Sequence, residues 1–116
     1  MAIRSQETVD SQGRRIIQHL LLENATDTVQ SGWVDISGCS PWTITVGGAF
    51  SNMTIQILVS NALTRPSNSS IAEGKIGDDI TGNFALVLNA PFRWLNISVV
   101  ASAPTGAVTV GFMGVK

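Results

Sequence analysis

Few residues of this chain could perform acid–base, nucleophilic or metal chemistry. Its single histidine, His19, lies in the apolar run 16–22, and its single cysteine, Cys39, lies beside Ser40 and Pro41 in a predicted turn. Nucleophilic catalysis needs a nucleophile, a base and a group that orients the base. A pairing of His19 with Cys39 is compatible with the sequence, but no third member is indicated. We therefore expect a structural histidine, an inert thiol and no enzymatic activity.

The acidic residues do not form a metal-binding pattern. Asp78 and Asp79 are the only adjacent acidic pair, and a calcium loop would need further carboxylates at alternating positions. We expect the pair to lie in a solvated loop, with a weak calcium site or a subunit contact as the alternatives. Gly47 and Gly48 lack the following Lys and Ser/Thr of a phosphate-binding loop. The sequence predicts neither a metal nor a cofactor.

Charge and hydropathy indicate neither nucleic-acid binding nor membrane insertion. The 116 residues carry a formal net charge of −1, and the basic residues do not cluster with aromatic ones. No apolar run approaches the roughly 18 residues of a membrane helix. One cysteine excludes an intrachain disulfide. Residues 1–13 are polar, so we expect no signal peptide and synthesis in the cytoplasm.

Alternating apolar and polar residues predict antiparallel strands. Residues 94–101 and 107–113 are joined by five residues that include Pro104 and Gly106, which is typical of a β-hairpin. Residues 42–60 predict a second hairpin on the same grounds. The side chains expected to face the core in the two hairpins are Trp42, Ile44, Val46, Met53, Ile55, Ile57, Val59, Leu95, Ile97, Val99, Val108, Val110 and Phe112.

The remaining segments complete an all-β fold. Residues 14–23 fit a strand or a helical turn, and the turn that follows favours a strand. Residues 61–81 predict a long loop without regular structure. Further strands are expected at residues 31–37 and 83–89. About seven strands predict one antiparallel β-sandwich, jelly-roll-like or Ig-like, over residues 14–116.

Two features suggest surfaces that a partner covers. Residues 1–13 predict an extended N-terminal arm, which is either a frayed terminus or an arm that docks on a neighbouring subunit. Trp33 and Trp94 lie on strand faces opposite to core positions, where a subunit interface, peripheral core packing and a glycan contact are all possible. Charged residues make up 13% of the chain, which is about half the usual share. A surface with so few charges is often covered by another subunit.

Five segments carry a resemblance to a known class of protein. They are residues 32–38, 42–48, 55–61, 91–95 and 105–110. Over roughly residues 31–113 the chain resembles small bacteriophage virion proteins of the capsid decoration, or cement, type. The resemblance implies a dimer or trimer on the outer capsid surface that bridges subunits of the major capsid protein. The alternative is a head-fibre, tail or baseplate module that binds a host-surface glycan.

The arm, the long loop and the tryptophan-bearing strands are the expected contact regions. Trp94 and Met113 are expected on one outer surface of the closing hairpin. The residues expected to contact partners are Ile3, Arg4, Val9, Arg14, Arg15, Trp33, Arg65, Pro66, Ile71, Ile76, Trp94 and Met113.

Overall fold

The computed structural model describes residues 3–67 and 74–116, which form β-strands joined by turns and loops. The prediction of an all-β sandwich is confirmed, with ten strands in these ranges rather than about seven. The strands are β1 (Arg4–Val9), β2 (Arg15–Ala25), β3 (Val29–Gln30), β4 (Val34–Asp35), β5 (Trp42–Gly47), β6 (Phe50–Ser60), β7 (Gly74–Ile80), β8 (Phe84–Leu88), β9 (Trp94–Gly106) and β10 (Val108–Val115).

The strands form two antiparallel sheets. Sheet A has the order β1-β2-β10-β5-β8, and sheet B has the order β3-β9-β6-β7, with β4 also paired to β9. Because side chains alternate across a strand, each sheet sends one set of apolar residues into the space between the sheets. All thirteen side chains predicted to face inward on β5, β6, β9 and β10 are at most 4% exposed. Alternation in the sequence therefore identified the core correctly.

Both predicted hairpins are wrong. β9 pairs with β6, β3 and β4 in sheet B, whereas β10 pairs with β2 and β5 in sheet A. In the same way β5 belongs to sheet A and β6 to sheet B. The short links at residues 48–49 and at Ala107 therefore carry the chain from one sheet to the other. Alternation determines which face of a strand is apolar, but not which strand lies beside it.

Three further segments differ from or refine the expectations. Residues 15–25 form strand β2 between β1 and β10, which decides the choice between strand and helix. β7 occupies Gly74–Ile80 and pairs with β6, so the predicted loop over residues 61–81 is wrong at its C-terminal end. The predicted turn residues Pro104 and Gly106 lie within β9.

The N-terminal segment is part of sheet A. β1 pairs with β2 in register from Arg4 opposite Leu20 to Val9 opposite Arg15. The connecting turn is closed by Asp10, whose carboxylate accepts hydrogen bonds from the backbone N–H groups of Gln12 and Arg14, both at 2.9 Å. Over its described strand, the expected arm is thus an edge strand with all six residues exposed.

Candidate interaction surfaces

His19 lies on β2 and forms a pair that the sequence did not indicate. Its Nδ1 is 2.7 Å from the Oγ of Ser5, which is directly opposite on β1. Its ring packs against Phe112 at 5.4 Å between centroids. Burial lowers the pKa of His19, so the imidazole is neutral at pH 7. Its Nε2 is buried without a hydrogen-bond partner in residues 3–67 and 74–116, so the Ser–His pair lacks the third group that would orient the base.

The other candidate chemical groups are held in structural roles. Cys39 is a buried free thiol whose pKa is raised by burial, which disfavours the reactive thiolate. Asp79 is hydrogen-bonded to Lys75 and to Gln56, and the hydrogen bond from Lys75 is the largest cause of its lowered pKa. Within the described ranges, no three His, Cys, Asp or Glu side chains are grouped so that they could hold a metal ion.

The arginines near the N-terminus already have partners within the chain. Arg4 pairs with Glu23 at 2.7 Å, Arg14 pairs with Asp10 at 2.7 Å, and Arg15 pairs with Glu7. The hydrogen bond from Arg15 is the main cause of the lowered pKa of Glu7. All three arginines remain exposed, and so does Val9, while Ile3 packs partly against the core. Contact of this edge with a partner stays a prediction.

The two tryptophans expected on an interface face hold a segment of their own chain. The indole N–H of Trp94 donates to the carbonyl of Ala62 at 3.0 Å, and that of Trp33 donates to the carbonyl of Ser67 at 3.1 Å. Trp33 is 3% exposed, and the ring of Trp94 has the Arg93 guanidinium 5.5 Å from its centroid. Of the three alternatives for Trp33, its burial favours peripheral core packing, because residues 61–67 pass over this side of sheet B.

Polar residues of sheet B are buried beside this segment. Asn96 is 1% exposed, and its amide donates to the side-chain oxygen of Gln30 at 3.0 Å. The hydroxyl of Ser31 donates to the side-chain Oδ1 of Asn96 at 3.3 Å. Buried amides need such partners, since an unsatisfied polar group costs about 1–3 kcal/mol. The side chain of Asn96 is therefore buried and bonded to Gln30 and Ser31, and it is not available to a partner.

The outer face of sheet A is a different kind of surface. Paired residues share a face of a sheet, so the registers place two rows across its five strands. We define the outer face of sheet A by these rows. They are Gln6, Gln18, Met113, Thr43 and Val87, and Arg4, Leu20, Gly111, Thr45 and Ala85. Arg4 is the one charged residue among the ten, and its charge is paired with Glu23.

A depression of about 590 Å³ lies on this face. Gly111 on the central strand β10 has no side chain, so its backbone forms the bottom of the depression. The side chains of Leu20, Thr45 and Met113 surround it. Met113 on β10 is 45% exposed. Val87, which lies in the same row two strands away on β8, is 68% exposed. Arg4 and Met113 were predicted contact residues, whereas Thr43 and Thr45 were not, although their outward alternation on β5 was the available signal.

The predicted contact residues therefore do not form one site. Arg4 and Met113 line the depression on sheet A, whereas Trp33 and Trp94 lie on sheet B, so the expected common surface of Trp94 and Met113 is wrong. Arg65 is exposed and Pro66 half-buried in the segment that the tryptophans hold. Ile76 on β7 is half-buried and packs against the core. Ile71 lies outside the described residues.

No helix that is long and apolar enough to cross a membrane occurs in the part of the chain that the structure describes.

The described residues form a small β-sandwich in which the outer face of sheet A is open. No protein-family profile matches the chain, and no curated protein matches it. Among solved structures, the chain is similar to the SPBc2 prophage-derived protein YomS, with a TM-score of 0.69 and 15% sequence identity. The match covers 94% of this chain and 100% of that chain. The two proteins share a fold over almost their whole lengths.

Proposed function

We propose that this protein is a non-enzymatic structural protein of a phage virion, of the capsid decoration type. It binds the outer surface of the assembled capsid and bridges subunits of the major capsid protein. The similarity of the fold to that of a prophage-derived protein supports a phage origin, and the resemblance of the five sequence segments to small virion proteins agrees with it. The compact sandwich suits a rigid spacer between capsid contacts, since its two sheets share one continuous core.

The observation that carries the choice of binding surface is the contrast between the two sheets. Residues 61–67 pass over one side of sheet B and are bonded to its tryptophans. The outer face of sheet A presents Met113 and Leu20 beside a depression, with Val87 further along the same row. The polar groups of the two rows are uncharged apart from Arg4, which is paired with Glu23. Apolar residues surrounded by neutral polar ones are typical of protein–protein interfaces. Many modest contacts of this kind, repeated over a shell, would stabilise it through avidity.

Recognition of a host glycan is less well supported by the structure than capsid binding. That alternative depended on exposed tryptophan rings, because sugars stack on open aromatic faces. Trp33 is 3% exposed, and Trp94 is half-buried with Arg93 against its ring. The tryptophans therefore offer no open platform for a sugar.

Binding to capsids tests the proposal. Purified protein would be added to expanded capsids of its own phage that lack it, and the bound fraction would be measured by co-sedimentation. We expect saturable binding with a fixed number of copies per shell. Met113→Glu should weaken it by about tenfold or more, because it places a charge in the apolar part of the contact.

The matched control is Val100→Glu. Val100 is 54% exposed and lies on β9, on the outer side of sheet B, so the substitution adds the same charge to the other sheet. We expect this variant to bind as the wild type does. Absence of binding at every expansion state would reject the decoration role. Equal binding by Met113→Glu and the wild type would reject the outer face of sheet A as the contact.

A further inference from the structure

The sandwich has four sheet edges in the described part of the chain, and three of them carry features that discourage strand addition. Unpaired edges recruit other strands unless charges, bulges or short length prevent it. β1 carries Arg4 and Glu7, both in ion pairs. β7 carries Lys75 and the adjacent acidic pair, and it is bent at Gly77, whose φ is +71°. β3 and β4 have only two residues each.

The fourth edge, strand β8, has none of these features. Its five residues are Phe-Ala-Leu-Val-Leu, without a charge, a proline or a glycine. It pairs with β5 on one side and ends sheet A on the other. Val87 is 68% exposed and Phe84 is 41% exposed. An apolar, regular edge strand of ordinary length is a template for pairing with another strand.

The sandwich is also open beside β8. A groove of about 310 Å³ lies between the edges of the two sheets. Ile76 and Ile80 line it on the β7 side together with Asp78 and Asp79, and Phe84 and Leu86 line it on the β8 side. Phe84 is opposite the buried Val46 of β5 and therefore faces the core side of sheet A. Its exposure results from the lack of a next strand beyond β8. The backbone edge of β8 and the apolar side chains on the β8 side of the groove thus form one continuous surface.

We propose that this surface, the β8 edge with its groove, binds a second copy of the same chain. Two β8 strands would pair antiparallel about a twofold axis through Leu86 and join two copies of sheet A into one continuous sheet. In this register Phe84 lies opposite the partner's Leu88 on the core side. Ala85 lies opposite the partner's Val87 on the outer side.

The composition of β8 fits a copy of itself better than an unrelated strand. A twofold axis through Leu86 pairs β8 only with residues of the same strand, so charges of one sign at both members of a pair, such as Ala85 and Val87, would repel each other. β8 has no charge to repel. Its outer pairs match a large side chain with a small one, Val87 with Ala85. Its inner pairs place the partner's Leu86 and Leu88 over the open groove, which removes their apolar surface from water.

The test is performed in solution, without capsids, so its outcome is independent of the decoration role. Sedimentation of the wild type should show a concentration-dependent species of twice the 12.3 kDa chain mass. The double variant Ala85→Glu/Val87→Glu places carboxylates directly opposite each other at both outer pairs, and it should lose the dimer. The double variant Ala85→Lys/Val87→Lys should lose it for the same reason. Both positions are exposed in the single chain, so each variant should keep its fold.

Mixing the two variants gives the decisive measurement. Each glutamate would then lie opposite a lysine, so a heterodimer should form and appear in native mass spectrometry at the summed mass. The control is Val9→Glu/Val100→Glu, which adds two charges at other exposed valines and should leave the dimer unchanged. A monomeric wild type at all concentrations, a persistent dimer of the acidic variant, or no heterodimer on mixing would each overturn the proposal.

Discussion

Gly48 and Gly106 occupy positions where the backbone geometry excludes a side chain. Gly106 has a φ of +78°, and a Cβ built there would overlap the carbonyl oxygen of Ala49. Gly48 has a φ of +131°, and its Cβ would overlap the carbonyl oxygen of Ala107. These contacts join the two links that carry the chain between the sheets. The close approach of the two links depends on the absence of a side chain at both glycines.

Gly106→Ala should destabilise the protein by roughly 3 kcal/mol or more, the sum of left-handed strain and a backbone clash. The control is Gly13→Ala, because Gly13 has nearly the same φ, +79°, but no atom within 4 Å of its Cβ position. It should cost only about 1–2 kcal/mol, from strain without a clash. Urea denaturation measures the free energy of unfolding of both variants. Equal losses would show that the close contact between the two links does not contribute to stability.

At the scale of secondary-structure elements, the segment 61–67 shows how a sheet face becomes unavailable to partners. The segment follows β6 and is bonded at both ends by indole N–H groups from other strands and turns. The backbone N–H of Arg93 also donates to the side chain of Asn61 at 3.0 Å. Three contacts from distant parts of the sequence therefore hold one loop in place. Two of the three contacts come from the tryptophans.

Replacing Trp33 and Trp94 together by Phe should loosen this segment while leaving the sandwich folded. Each change removes one hydrogen bond worth about 1 kcal/mol, so amide exchange in residues 61–67 should become several-fold faster. Trp42→Phe is the control, since it removes an equivalent indole bond, to Ala90 at 2.9 Å, at another place. If exchange in the segment is as slow in the double variant as in Trp42→Phe, the bonds do not hold it.

For the whole molecule, stability rests on the single apolar layer between the sheets. Ile97 is 0% exposed at the centre of β9 and lies opposite Ile57 in the neighbouring strand. Three residues further on, Val100 is 54% exposed on the other face of the same strand. The two positions differ in burial but share a strand. They therefore separate the contribution of the core from that of strand propensity.

Ile97→Ala should cost about 2–5 kcal/mol, because it removes buried apolar area and leaves a cavity in the core. Val100→Ala should change the free energy of unfolding by no more than about 0.5 kcal/mol. Thermal or urea unfolding of both variants provides the comparison. A similar small loss for each would mean that the two sheets are not packed as the structure describes.

The sequence by itself determined the class of fold and the inward side of the four strands β5, β6, β9 and β10. Successive side chains of a strand point to opposite faces, so the positions of the apolar residues in its sequence show which face is apolar. The apolar surroundings of His19 and the position of Cys39 next to a turn were also readable from the sequence. These properties are local, and a short stretch of chain is sufficient to specify them.

Only the tertiary structure decided which strands are neighbours. A short link such as residues 48–49 can join strands within one sheet or carry the chain to the facing sheet, and alternation is the same in both cases. The choice depends on long-range pairing, such as Ile97 with Ile57 and Phe112 with Ile44. The same pairing left the outer face of sheet A open and made β8 an edge, whereas the segment 61–67 covered Trp33. Candidate surfaces therefore emerged from sheet order, which a linear pattern does not encode.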